Sequence, residues 1–164
     1  MSAKDIDAIT GQIVDAAVKI HSNLGPGLFE SVYEAVLARE LERRGLAVER
    51  QRSVSFEFDG MTFDEGLRAD LLVEGCVVVE LKSVEQLSPV YSKQVLTYLR
   101  LLRLPVGLLI NFGQVRLKDG LRRIVNGYQP PTSAASRLRV NQGDGVARGG
   151  AENAETPPRG RKDR

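Results

Sequence analysis

A chain of 164 residues, 42% hydrophobic and 27% charged, can build one domain with a proper core and leaves little room for a second. No apolar run approaches the roughly 18 residues that span a bilayer, and the N-terminus lacks the apolar stretch of a signal peptide. The single cysteine, Cys76, excludes an internal disulfide and a cysteine-based zinc site, which points to a reducing, cytoplasmic location.

The net charge of +2 is unevenly divided. Residues 1–130 carry 16 Lys/Arg against 17 Asp/Glu, a net of −1, and residues 131–164 carry 7 against 4, a net of +3. Bulk charge on the folded part therefore does not announce a nucleic-acid partner. The last stretch, rich in Gly, Ala, Pro and Arg, has the composition of a disordered basic tail. The expected division is a domain over 1–128 and a tail over 129–164.

Ile6, Ile9, Ile13, Ala16, Ala17 and Ile20 recur at helical spacing, with Ser2 or Asp5 available as N-cap. Gly25-Pro26-Gly27 then breaks the chain. A second helix is expected from about residue 28 to 44, stopping at Gly45, with Phe29, Val32, Tyr33, Val36 and Leu37 on its inner face. Glu30 falls between Leu37 and Leu41 on the helical wheel, an unusual place for a glutamate. From 48 to 63 Val54, Phe56 and Phe58 alternate with Ser53, Ser55 and Glu57, and Asp59-Gly60 marks a turn, so a strand enters a meander here.

Two further strands, 67–73 and 77–84, join around Glu74-Gly75. Ser88-Pro89 reads as an N-cap followed by proline at the first helical position, opening a helix with Val95, Leu99 and Leu102 inward. The unbroken apolar run 106–112 marks a strand covered on both faces. A last strand or hairpin is expected over 115–125, with Asp119-Gly120 at its tip. The order α-α-β-β-β-α-β-β describes an α/β fold, a mixed β-sheet flanked by helices.

Asp70, Glu80 and Lys82 stand inside the two hydrophobic strands, where unpaired charge costs several kcal/mol. Because side chains alternate along a strand, a loop with an odd number of residues near Gly75 brings Asp70 and Glu80 to one face. A two-residue turn separates them. Two carboxylates at cross-strand distance call for a cation or a proton between them. Mg²⁺ takes few protein carboxylates, keeps its waters and binds phosphate oxygens, and a lysine beside it can orient a water or offset charge on a phosphate. The alternative is a solvent-facing ion pair worth under about 1 kcal/mol.

Further residues narrow the choice. Gly27-Leu28-Phe29-Glu30-Ser31-Val32-Tyr33 has the form G-x-x-E-x-x-Y, and Gln94 and Tyr98 stand one helical turn apart. With Asp70, Glu80 and Lys82, with Leu24-Gly25-Pro26-Gly27 and with the run 107–113, they make the chain resemble the GxxExxY family. That family belongs to the PD-(D/E)XK nuclease-like superfamily, with its restriction-endonuclease-like fold. The resemblance covers about residues 5–127. It implies that Asp70, Glu80, the carbonyl of Leu81 and Glu30 ligate a divalent metal, Mg²⁺ or alternatively Mn²⁺, and that Lys82 assists the nucleophilic water. Gln94 and Tyr98 would support the site or touch the substrate backbone. Ala69 stands where the motif carries proline, a position that is not a ligand.

The function implied is a metal-dependent nuclease acting on DNA, or alternatively RNA, alone or as a homodimer or with a partner protein. A non-catalytic nucleic-acid-binding or protein-interaction module with the same fold is the second reading. An acid–base hydrolase of the glycosidase type is the third, and the absence of Trp argues against it. Tyr33 is expected in the core, His21 at a helix end complementing its dipole, and Cys76 as a small apolar filler.

Overall fold

In the computed structural model the Asp5 carboxylate accepts the Ala8 N–H and caps the first helix, α1 (Ile6–Leu24); Ser2, the other candidate, lies outside the described residues. Residues 5–64 and 66–129 are described, within one compact unit, Met1–Pro130. The expected basic tail lies outside them, apart from Gln129. Gly25, at φ 68°, ends α1 with its N–H on the His21 carbonyl. The second helix, α2, spans Glu30–Arg43, and Lys19–Glu40 and Asp15–Arg44 ion pairs tie it to α1.

The strands follow: β1 (Val48–Ser53), β2 (Phe56–Phe58), β3 (Met61–Phe63), β4 (Arg68–Val73) and β5 (Val77–Lys82). Helix α3 (Pro89–Leu102) comes next, capped by the Ser88 hydroxyl with Pro89 in its first turn, as expected. Strands β6 (Val106–Asn111) and β7 (Leu121–Val125) complete the chain. Five strands form one mixed sheet in the order β1-β4-β5-β6-β7, with only β5–β6 parallel. The main-sheet elements run α-α-β-β-β-α-β-β, and β2–β3 is a separate two-stranded hairpin inserted after β1. This is a restriction-endonuclease-like arrangement.

The apolar residues divide between the two faces of the sheet. Leu71, Val73, Val79, Leu81 and Ile110 pack under α1 and α2, while Leu72, Val78 and Leu109 pack under Val95, Tyr98 and Leu99 of α3. Every residue of β6 is buried, the outcome foreseen for an unbroken apolar strand.

Three local expectations need correction. The inner face of α2 is turned by about a quarter turn from that expected. Tyr33, Glu34, Leu37, Ala38 and Leu41 are buried, while Val32 and Val36 are exposed and Phe29, at the N-cap, is 83% exposed. The helix follows the fit of Tyr33 against Phe112, rings stacked at 4.2 Å, and not the largest count of apolar residues. Alternation after β1 ends at Val54, which is fully buried. Phe58 is exposed because its hairpin stands off the main sheet, with Phe56 stacked on Phe63. Asp119-Gly120 closes a short 3₁₀ turn (Leu117–Gly120) leading into β7, and is not a hairpin tip. There Gly120 packs so tightly on Asn111 that a Cβ would clash.

Candidate active site

The hairpin loop between β4 and β5 decides the parity question. Leu71, Leu72 and Val73 pair with Val79, Val78 and Val77, so the loop is Glu74-Gly75-Cys76, an odd three residues. Glu74 and Gly75 both take positive φ, 54° and 64°, and Cys76 N–H closes on the Val73 carbonyl. The same register carried one step further sets Asp70 opposite Glu80. The ladder itself stops at Leu71. Beyond it the Asp70 carboxylate accepts the Leu81 N–H at 2.8 Å, standing in for a strand carbonyl. Ala69 packs with Leu72 on the α3 side, so the pleat slips at Asp70.

Glu80 is 3% exposed. One of its oxygens accepts from Lys82 Nζ at 2.8 Å; the other, Oε2, is buried with no hydrogen-bond partner among the described residues. Burial, with the neighbouring Asp70 charge adding, pushes the Glu80 carboxyl up to about 7, against the pull of Lys82 and of the Asp70 backbone N–H, which approaches the carboxylate without a hydrogen bond of full geometry. Asp70 is also raised, chiefly by burial, against the pull of the Leu81 N–H and the Lys82 charge. Lys82 Nζ further donates to the Leu81 carbonyl at 3.1 Å and lies 5.3 Å from the Tyr91 ring centre. Burial pulls the ammonium down, but the Glu80 bond and the surrounding carboxylates carry it above the ordinary lysine value.

The G-x-x-E-x-x-Y segment has a mechanical basis. The buried Tyr33 hydroxyl donates to the Gly25 carbonyl at 2.6 Å and accepts the Leu28 N–H at 3.3 Å, clamping the loop before α2. The Ser83 hydroxyl donates to the Leu28 carbonyl, and Glu30 accepts the Ser83 N–H at 3.1 Å. That loop thereby brings Glu30 to the end of β5. Glu30 opens with Asp70 and Ser83 onto a cleft of about 680 Å³, also lined by Glu34 and Gln51.

Gln94 donates to the Tyr98 hydroxyl at 2.7 Å, and Tyr98 is buried in the core beneath α3. Their described hydrogen bonds satisfy one another and do not reach the carboxylates; Tyr91, one turn earlier, is the α3 aromatic beside Lys82. His21 meets the Gln114 carbonyl at 2.8 Å, and Cys76 packs at the rim of the core. Among the described residues no three His, Cys, Asp or Glu side chains are gathered closely enough to hold a metal ion, so Glu30, Asp70 and Glu80 are not brought together as one three-carboxylate set.

The family model for the PD-(D/E)XK nuclease superfamily matches residues 7–124. The chain belongs to that superfamily. Asp70 lies on β4 and the Glu80-Leu81-Lys82 triplet on the neighbouring β5, both within the matched residues. PD-(D/E)XK nucleases work with divalent metals on nucleic acid. A search of curated proteins returns no significant match. Among solved structures the chain is similar to SSO0001, at 17% identity and a TM-score of 0.41, covering 71% of this chain and 67% of that one. A likeness at that level adds nothing to the family assignment.

Two cleft residues escape the sequence patterns. Glu34 is 6% exposed, with Arg50 Nε on one oxygen at 2.9 Å and Gln51 Nε2 on the other at 2.6 Å. Gln51 Nε2 also approaches Asp70 Oδ1, at 3.4 Å. The available signal for Glu34 was its place one turn after Glu30 on the same helix face; for Gln51 there was none.

Proposed function

We propose that this protein is a divalent-metal-dependent nuclease of the GxxExxY branch, with DNA the first substrate to test and RNA the second. The buried, unpartnered Glu80 Oε2 beside Asp70 carries this reading. A buried carboxylate pair with a spare oxygen is costly unless a cation completes it. The Lys82 ammonium already rests on Glu80 Oε1 and the Leu81 carbonyl, so a positive charge fits that oxygen set.

Asp70, Glu80, the Leu81 carbonyl and Glu30 would hold Mg²⁺ or Mn²⁺. Bound there, such a cation would polarise a phosphoryl oxygen and lower the pKa of a water. Leu81 N–H fixes one Asp70 oxygen, and the other has only the long contact from Gln51 at 3.4 Å. Lys82 is placed to donate to the attacking water or to a phosphate oxygen on which charge builds. The Tyr91 face backs its ammonium, and the Tyr33-clamped loop sets Glu30 against β5. Gln94 and Tyr98, by this reading, brace α3 beneath Lys82 and act through packing.

The test is a cleavage screen of single-stranded, double-stranded and branched DNA and of RNA with Mg²⁺ or Mn²⁺. Asp70→Ala, Glu80→Ala and Lys82→Ala should each lose at least about 100-fold. Wild-type rates in all three would reject the site. The second reading, a non-catalytic interaction module, draws on the exposed Phe29, Val32 and Val36 and on the net charge of −1 over residues 1–130. It expects no cation binding by calorimetry and no effect of Lys82→Ala on function.

A further inference from the structure

Four residues other than glycine have positive φ among the described residues: Gln51, Asp59, Glu74 and Arg103. Three have local reasons. Asp59 precedes Gly60 in the β2–β3 turn, Glu74 precedes Gly75 in the β4–β5 loop, and Arg103 caps α3 in the left-handed conformation. Gln51, at φ 51°, lies inside β1 with strand residues on either side. Neither turn nor cap explains it. A left-handed residue with a side chain is unfavourable there, and such strain gathers at functional sites.

Its position gives the reason. Arg50 pairs with Leu71 and Arg52 with Ala69, so the register sets Gln51 across from Asp70, at the point where the pairing lapses and the pleat of β4 slips. The Gln51 amide is anchored by the buried Glu34, at 2.6 Å, and directed at Asp70 Oδ1, at 3.4 Å. Glu34 is in turn held by Arg50, the neighbour of Gln51. The other Asp70 oxygen is fixed by Leu81 N–H. A donor therefore stands at each oxygen of the carboxylate, one from β5 and one from β1.

We infer that Gln51 is a positioning residue: β1 adopts a left-handed residue so that the amide, anchored on Glu34, orients Asp70 for a divalent cation. This rests on the metal-site reading above and adds Gln51 and Glu34 to it. The role is indirect, through the rotamer of Asp70, since the long contact to Oδ1 leaves that oxygen available to a stronger partner.

Calorimetry of the full chain with Mn²⁺, together with thermal melts, tests the inference. Gln51→Ala keeps the backbone strain and removes the amide, and should weaken Mn²⁺ binding about 10-fold. Gln51→Gly removes both; it should bind as weakly as Gln51→Ala but melt about 3 °C higher than that variant. Arg103→Gly, which relieves the same conformation far from the cleft, should leave Mn²⁺ affinity unchanged. In cleavage assays Gln51→Ala should need about 10-fold more metal for half-maximal rate and recover most of its rate at saturation, which Asp70→Ala cannot do. Wild-type Mn²⁺ affinity in Gln51→Ala overturns the positioning role and leaves the metal site standing. No Mn²⁺ binding by the wild-type chain overturns both.

Discussion

Glu34 and Glu80 are both buried glutamates whose charges bear on Asp70, one on α2 and one on β5, and they solve the problem of buried charge differently. Glu34 has a donor on each oxygen, Arg50 and Gln51. Glu80 has Lys82 on one oxygen and, among the described residues, no full hydrogen bond on the other. A carboxylate whose partners are complete is structural furniture; one left with a vacant oxygen next to a second carboxylate is poised to bind. On the proposed metal-site reading, Glu80 would carry the chemistry and Glu34 its support.

The sharpest way to break that contrast is to neutralise each glutamate in turn and measure cleavage. Glu80→Gln should lower the rate about 1,000-fold, roughly 4 kcal/mol of transition-state stabilisation. Glu34→Gln should lower it about 10-fold at limiting metal and less at saturation, because it acts through Gln51 and Asp70. Equal losses would erase the distinction between a reacting group and its support.

Next in size is a dependence of stability on pH. The Glu80 carboxyl stands at about 7 in the folded, metal-free chain against 4.5 unfolded. Below 4.5 both states are protonated, so the group costs nothing. Between 4.5 and 7 the unfolded chain ionises it while the folded chain keeps its proton, so stability falls across that window by about 3 kcal/mol in total and levels above 7. Asp70, raised for the same reason, adds to the fall. Chemical denaturation with chelator present at pH 4.5, 6 and 8 would show the decline. Glu80→Gln should flatten most of it and Glu34→Gln should not. Since the cation needs ionised carboxylates, Mg²⁺ affinity should climb by up to about tenfold per pH unit below 7 and then level.

How much of this was legible beforehand follows from the range of each signal. Asp70, Glu80 and Lys82 were legible because three charges in two apolar strands violate a local rule. Their pairing across the hairpin was not, because Glu74-Gly75 suits a two-residue turn as well as the observed three-residue loop. The helices and the buried β6 were legible from periodicity and capping. The facing of α2 was not, since Tyr33 turns inward to stack on Phe112 and bond Gly25, a tertiary demand that leaves Phe29, Val32 and Val36 outside. Glu34 and Gln51 came into view only when α2, β1 and β4 met. A left-handed glutamine in a strand has no sequence signature, as its cause lies across the sheet at Asp70.

The smallest expected effect concerns the other arm of the Glu34 cluster. Arg50 is half exposed while Glu34 is nearly buried, so their pair lies between a surface contact and an interior one. Solvent screens the arginine side, and a double-mutant cycle of Arg50→Ala with Glu34→Gln should return a coupling of only about 0.5–1 kcal/mol in urea unfolding. The Gln51 arm couples through a side chain fixed by its own backbone, so the Gln51→Ala, Glu34→Gln cycle should exceed that value even though glutamine carries no charge. If the Arg50 coupling proved the larger, Glu34 would be holding an ion pair at the sheet edge, and the strain at Gln51 would need another cause. If the Gln51 coupling is larger, Glu34 is buried to hold an amide, and the amide is there for Asp70.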